Sequence, residues 1–192
     1  TIPFTATSTR MTVRVYSPRA GIPVRLKVED AADPTHTVET EALTTQVNTW
    51  ETLTFDFANP AAGTAALNLA YTYNKISIFF DFGTTGADGG GGTFYFDDVL
   101  FDTSGGGGGS SFTPITFDSA AVTYTLTGFG GAEDATVVAD PTNASNNVAR
   151  VVKSATAELW AGTTVSTGAN QSVDTIPFTA TSTRMTVRVY SP

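Results

Sequence analysis

The sequence predicts an all-β protein, a jelly-roll β-sandwich of two antiparallel sheets. Apolar and polar residues alternate over many short stretches, which is the period of strands with one buried face. Turn signals such as Asp33-Pro34 and Asn59-Pro60 separate these stretches. The chain has no convincing long helical pattern, and about eleven short strands with turns between them are typical of a sandwich.

The predicted strands follow one another along the whole chain. The clearest alternate as Met11, Val13, Val15; Val24, Leu26, Val28; Leu53, Phe55, Phe57; and Ile76, Ile78, Phe80, Phe82, with a less polarised stretch at Val148–Lys153. Further strands are predicted at 36–43, 93–101, 115–118, 121–129, 134–139 and 157–165, and a loop at 61–74.

An internal repeat fixes the domain organisation. Residues 1–18, TIPFTATSTRMTVRVYSP, return letter for letter as 175–192. Residues 105–111 are a Gly/Ser linker. We therefore predict one module whose C-terminal part is 1–104 and whose N-terminal part is 112–174, with 175–192 as a second copy of 1–18. Either a window of a tandem array or an engineered circular permutant gives this layout, and we favour the array.

Composition excludes several functions. The net charge of −8 and the pI near 4.4 argue against nucleic acid, which needs a basic surface. With no cysteine there are no disulfides or thiolate metal sites. No stretch reaches eighteen consecutive apolar residues, so we expect no membrane insertion. Neither an isolated carboxylate pair nor a G-x-S-x-G elbow stands out, so we expect no catalysis. Acidic, Lys-poor composition suggests an extracellular or cell-surface protein.

Four blocks carry a family resemblance: ITFDS at 115–119, TWETLTFDF at 49–57, KISIFFDFG at 75–83 and TFYFDDVLF at 93–101. Together they make the module similar to the bacterial β-sandwich carbohydrate-binding modules that bind cellulose, xylan or laminarin. The resemblance covers nearly the whole module and implies a non-catalytic protein that binds a polysaccharide.

The resemblance also implies a structural calcium ion where the first and last strands of the module meet. Asp118 with Asp97 or Asp98 matches those positions, and a hard cation stabilises clustered carboxylates. Because adjacent residues of a strand point to opposite faces, we expect only one of Asp97 and Asp98 to face the ion. The alternative is that these acids are solvated strand-end charges.

A sugar site needs aromatic rings and planar hydrogen-bonding groups that face outward. Seven residues occupy the outward register of their strands and are predicted to line one concave sheet: Tyr16, Arg14, Arg25, Lys27, Glu29, Glu39 and Glu41. The alternative is a solvated face with cross-strand ion pairs.

Three further aromatic residues are candidates. Trp160 has polar neighbours and is predicted at a rim where rings meet a ligand, whereas Trp50 is predicted to be core. Tyr71 and Tyr73 lie in the loop at 61–74, where they contact sugar or else anchor the loop.

The duplicated segment suggests a second function. A sandwich has one slot for this strand, so a surplus copy is predicted to join neighbouring copies of the protein, by strand exchange or in a tandem array. The junction residues would be Met11, Val13, Val15, Met185, Val187 and Val189. The alternative function is therefore a structural repeat of an extracellular filament or adhesin.

Overall fold

A computed structural model describes residues 2, 4–6, 8–101 and 115–173. It confirms the all-β prediction: two antiparallel sheets of five strands each form a sandwich. The strands are β1 (Arg10–Tyr16), β2 (Pro23–Glu29), β3 (Thr37–Leu43), β4 (Trp50–Asp56), β5 (Lys75–Phe80), β6 (Gly92–Phe101), β7 (Thr125–Phe129), β8 (Thr136–Asp140), β9 (Asn143–Lys153) and β10 (Gly162–Ser166). Two short helical turns lie at Gly86–Gly90 and Ala169–Gln171.

Each sheet combines strands from both sides of the glycine-rich linker. The first sheet has the order β4-β1-β6-β9-β8, and the second has the order β3-β2-β5-β10-β7. Residues 61–74 contain no strand, as predicted. The strand predicted at 115–118 is reduced to one bridge between Ile115 and Val99, because the left-handed backbone of Phe117 interrupts extended pairing.

The core lies between the sheets and is rich in aromatic rings. Phe80 of the second sheet stacks on Phe94 of the first, with ring centroids 4.8 Å apart. Met11, Val13 and Val15 are fully buried there, since β1 is an inner strand paired with β4 and β6. The first copy of the repeat thus fills a central slot, while Met185, Val187 and Val189 lie outside the described residues.

The start of the chain lies beside the end of its second described range. The Ile2 amide donates to the Tyr73 carbonyl, and the Val173 amide donates to the next carbonyl, Asn74, at 3.4 Å. Only Asp174 separates Val173 from the second copy of the repeat.

In the described ranges, no helix has the length and apolar character needed to cross a membrane.

Candidate functional site

A groove of about 520 Å³ lies on the outer face of the second sheet. Its position follows from strand alternation: Val24, Leu26 and Val28 enter the core, so the residues between them face outward. The lining residues come from β2, β3, β5, β7 and β10 and from nearby loops: Arg25, Lys27, Glu29, Glu39, Thr64, Lys75, Ser77, Phe79, Phe82, Thr127, Phe129, Trp160, Thr164 and Gln171. Pockets that bind small molecules typically have volumes of roughly 300–1,000 Å³.

One side of the groove is a continuous series of planar groups, which we call the aromatic wall. The Arg25 guanidinium lies 3.6 Å from the centroid of the Phe82 ring. Phe79 contacts both Phe82 and Phe129 edge-to-face, at centroid distances of 5.6 and 5.3 Å. Phe129 then stacks on Trp160 at 6.2 Å, with 14° between the ring planes. Trp160 ends the wall with 48% of its surface exposed.

The backbone around Trp160 presents its ring at the groove. Three backbone hydrogen bonds hold this segment: the Ala161 amide donates to the Glu158 carbonyl, the Glu158 amide to the Gly130 carbonyl, and the Gly83 amide to the Leu159 carbonyl. Gly130 has a left-handed φ of 66°, and a Cβ there would lie 2.9 Å from the indole ring. Glycine therefore allows both the turn and the close approach of the ring.

The rest of the groove is lined by paired charges and neutral polar groups. Arg25 binds Glu41 at 2.7 Å and Glu39 at 2.9 Å. Lys27 and Lys75 both bind Glu29, which is only 5% exposed, with Lys75 at 2.5 Å. Burial alone would raise the pKa of Glu29, but hydrogen bonds from the two lysines outweigh burial and hold the pKa below its ordinary value.

The structure places the predicted sugar-binding residues in three different regions. Arg25, Glu39 and Trp160 line the groove, together with Lys27 and Glu29. The expectation that Tyr16 and Arg14 share that sheet is wrong, because β1 and β2 belong to different sheets.

Tyr16 and Arg14 instead lie on the outer face of the first sheet. Tyr16 is 7% exposed and contacts Trp50 edge-to-face, with centroids 5.9 Å apart. The Arg14 guanidinium lies 5.1 Å from the Trp50 centroid. Trp50 is therefore only partly buried: it shares the outward register of Tyr16, opposite to Leu53 and Phe55, while it packs against the border of the core. Its indole N–H donates to the Thr142 hydroxyl.

The two tyrosines of the 61–74 loop lie away from the groove. Tyr73 is 1% exposed and packs edge-to-face on Phe4, with centroids 5.6 Å apart, and its hydroxyl donates to the Asn68 carbonyl. Tyr71 stacks on His36 with centroids 3.7 Å apart. Tyr73 anchors the loop in the core, which is the alternative considered above.

The three predicted calcium ligands lie within electrostatic range of one another. Burial, with the charges of Asp98 and Asp118, raises the pKa of Asp97 to about 8. Burial and the charge of Asp118 raise the pKa of Asp98 to about 6. Asp98 lies at a bulge of β6 and has a left-handed φ of 48°, so strict strand alternation does not hold between Asp97 and Asp98.

The fit of this cluster to calcium is partial. Asp97, 1% exposed, accepts hydrogen bonds from the Asp98 amide and the Asn146 side chain, so its oxygens already have partners. Within the described residues, no group of three or more histidine or acidic side chains is arranged to hold one metal ion. Calcium binding stays a prediction.

Sequence reasoning missed most of the aromatic wall. Phe79 occupies the outward register of β5 next to Ser77, and an aromatic ring in that register is a signal that could have identified it. The alternation predicts Phe82 on the buried face with Ile76, Ile78 and Phe80, and this prediction is wrong: β5 ends at Phe80 and the left-handed φ of 49° at Asp81 interrupts the alternation, so Phe82 lines the groove. Phe129 reaches the groove because β10 places β7 beside β5, which no local pattern reveals.

Comparison with known proteins gives no match to a protein-family model, to a curated protein or to a solved structure. The similarity to carbohydrate-binding modules therefore remains a prediction from four sequence blocks.

Proposed function

We propose that this protein is a non-catalytic carbohydrate-binding module of an extracellular or cell-surface bacterial protein, and that its groove holds a polysaccharide. One observation carries the proposal: the aromatic wall ends in the half-exposed ring of Trp160 beside a polar groove. The apolar face of a sugar ring packs on an aromatic ring, while its hydroxyls need planar donors and acceptors.

The polar residues of the groove suit hydroxyl groups. Thr64, Thr127 and Gln171 contribute groups that both donate and accept hydrogen bonds. Arg25 is held flat by Phe82 and two glutamates, so little side-chain entropy is lost when a ligand binds.

The groove carboxylates favour binding over hydrolysis. A glycosidase needs one carboxyl group that donates a proton and a second that acts as nucleophile or base. Glu29 and Glu39 in the groove, and Glu41 next to Glu39 on β3, are each engaged by Arg25 or by the two lysines. The pKa of Glu29 is lowered, which is opposite to the need of a general acid.

Affinity electrophoresis in gels containing cellulose derivatives, xylan or laminarin tests the proposal. We expect at least one polysaccharide to retard the protein, and Trp160→Ala to abolish the retardation. Leu69→Ala is the matched control, because Leu69 is 51% exposed and lies outside the groove lining. Unchanged mobility of the wild-type protein in every gel would refute the proposal.

The calcium proposal has its own test. Calcium that binds only the folded protein raises its melting temperature by mass action. We expect millimolar calcium to raise the melting temperature of the wild-type protein, and Asp97→Asn to remove this increase. Asp88→Asn, a change of the same type at an exposed residue of the 86–90 turn, should keep it. An equal response of all three proteins would contradict the assignment.

A second candidate function is a structural repeat joined through the duplicated segment. The observation that favours it is the position of Val173, one residue before the second copy and beside Ile2 of the first. Two copies compete for one slot, so exchange between separate chains always leaves one copy per chain without a slot. In a covalent array, every further unit brings one copy of the segment and one slot for it. The number of copies then matches the number of sandwiches, which favours the array over exchange between separate chains.

Substitutions of Val13 and of its equivalent in the second copy, Val187, test whether the second copy can replace the first in the slot. Val13 is fully buried, so Val13→Asp places a charge in the core if the first copy must fill the slot. If the second copy can replace the first, Val13→Asp and Val187→Asp should each fold, and only the double variant should unfold. Unfolding of Val13→Asp alone, by circular dichroism, would rule out replacement.

A further inference from the structure

We propose that the groove accepts an acidic saccharide, and that Lys27 and Lys75 bind the carboxylate of a uronate unit within it. The inference rests on the carbohydrate-binding function proposed above and adds the charge class of the ligand. It follows from an uneven distribution of charge along the groove.

Two lysines share one carboxylate in a part of the groove that we call the lysine end, formed by Lys27, Glu29 and Lys75. Both ammonium groups bind Glu29, with that of Lys75 at 2.5 Å. The Glu29 side chain is 6% exposed, whereas the side chains of Lys27 and Lys75 are 25% and 22% exposed. With two ammonium groups against one carboxylate, the lysine end carries one positive charge in excess and presents it on the more exposed side chains.

The ammonium groups of the lysine end have donors left for a ligand. An ammonium group has three donor protons. Among the described residues, Glu29 is the one polar partner of each of these two lysine side chains. A ligand carboxylate can therefore bind both lysines while Glu29 keeps its own contacts, so that binding leaves no buried charge unpaired.

The charges around Arg25 confine an anion to the lysine end. Arg25 binds Glu39 at 2.9 Å and Glu41, which lies outside the groove lining, at 2.7 Å. Two carboxylates thus surround one guanidinium, and an acidic group placed there would meet net negative charge. Residues two apart on a strand are separated by about 7 Å, so a sugar ring at the aromatic wall beside Arg25 can direct its carboxylate toward Lys27.

A row of neutral hydroxyls crosses the groove at the level of Lys27. Ser77 pairs with Lys27 on one side and with Thr164 on the other, and Thr164 pairs with Thr127. The Ser77 and Thr164 hydroxyls are 3.1 Å apart and hydrogen-bonded to each other. This row provides neutral donors and acceptors for sugar hydroxyls between the aromatic wall and Lys75.

The net charge of the protein separates this site from non-specific adsorption. With a net charge of −8, the protein as a whole repels anionic polymers. Binding of an acidic saccharide therefore needs a local positive site, and the lysine end supplies one in the groove.

Calorimetric titration with paired ligands isolates the contribution of the carboxylate. The acidic ligands are oligoglucuronates with the linkages of cellulose and of laminarin, and glucuronate-substituted xylan fragments. Each is paired with its carboxyl-reduced counterpart, which is neutral and has the same linkages. We expect the acidic member of at least one pair to bind the wild-type protein about tenfold tighter, because hydrogen bonds to charged groups are strong. Added salt should reduce this preference.

Lys75→Gln tests the lysine end by removing its excess charge while Lys27 still pairs with buried Glu29. We expect the preference for the acidic ligand to disappear. The matched control is Arg150→Gln, which changes the net charge equally at an exposed residue of β9 on the first sheet and should keep the preference.

Glu29→Gln tests the same site in the opposite direction. Glutamine keeps the size of the side chain and leaves both lysines without their carboxylate, so the preference for the acidic ligand should increase. Glu133→Gln changes the net charge equally at an exposed residue outside the groove lining and should leave the preference unchanged. Circular dichroism melting shows whether each variant is folded, and the gain expected in Glu29→Gln keeps the test decisive if Lys75→Gln does not fold.

The outcomes separate the two proposals. If the wild-type protein binds a neutral ligand as tightly as its acidic counterpart, or more tightly, the inference is overturned while carbohydrate binding stands. A preference that persists in Lys75→Gln, or that does not increase in Glu29→Gln, would overturn the role of the lysines. Binding of no ligand by the wild-type protein would overturn both proposals.

Discussion

The two outer faces of the sandwich each carry a tryptophan, in opposite settings. On the first sheet, Trp50 packs with Tyr16 and Tyr95, and these tyrosines are only 7% and 9% exposed. On the second sheet, Trp160 is 48% exposed at the end of a groove. Aromatic residues on an outer face therefore need not mark a binding site. The rings of the first face, which we call the closed face, pack against one another, whereas the second, the open face, leaves the Trp160 ring half-exposed.

The largest expected effect is a loss of stability when an aromatic side chain of the closed face, the outer face of the first sheet, is truncated. Tyr95 belongs to β6, which has no second copy in the chain. Tyr95→Ala should lower the unfolding free energy by about 3 kcal/mol, as for other buried aromatic residues, and leave polysaccharide affinity unchanged. Urea unfolding and affinity electrophoresis measure the two quantities. A loss of affinity with unchanged stability would reverse the roles of the two faces.

The sequence predicts registers well and neighbours poorly. Alternation places Arg25 and Lys27 on an outer face and Val24 and Leu26 in the core, and the structure agrees. It does not reveal that β1 and β2 join different sheets, because the short connection at 17–22 could turn back within one sheet or cross to the other.

The same limit explains the site. Trp160 and Arg25 could be proposed as site residues because their residue types, their neighbours and their strand registers are all visible in the local sequence. Phe129 was not, because its relation to Trp160 depends on strand order, a long-range property. Phe82 was not, because strict alternation places it in the core, and the left-handed backbone of Asp81 that reverses this is not encoded by a local pattern. The bulge at Asp98 is also a tertiary feature, since it is a shift in the pairing register between β6 and the distant strand β1.

A smaller effect is expected at the support of the open face. Gly130→Ala places a Cβ 2.9 Å from the Trp160 ring at a residue with φ of 66°. We expect a stability loss of about 1 kcal/mol from the strained backbone and weaker polysaccharide binding from the displaced ring. Gly63→Ala, with a similar φ of 79° but no atom within 4 Å, is the control. It should lose stability but keep affinity; equal affinity losses in both variants would contradict the role of Gly130.

The smallest effect concerns the charges of the open face. The pKa of Glu29 is lower in the folded protein than its ordinary value of 4.5. Burial raises this pKa, but the interactions with Lys27 and Lys75 lower it by more. Its ion pairs therefore contribute stability above pH 4.5, and this contribution is lost as the pH falls below 4.5 through the folded pKa. Glu29→Gln should flatten the stability profile in this acidic range. A profile as steep as that of the wild-type protein would show that Glu29 does not contribute.

The two tryptophans allow the most direct test, because each reports on one outer face. Trp50→Phe leaves Trp160 as the fluorophore of the groove, and Trp160→Phe leaves Trp50 as the fluorophore of the closed face. Each variant is titrated with the polysaccharide that retards the wild-type protein. We predict a saturable change of emission in Trp50→Phe and none in Trp160→Phe. A saturable change in Trp160→Phe with none in Trp50→Phe would place the ligand on the first sheet and contradict the proposed site.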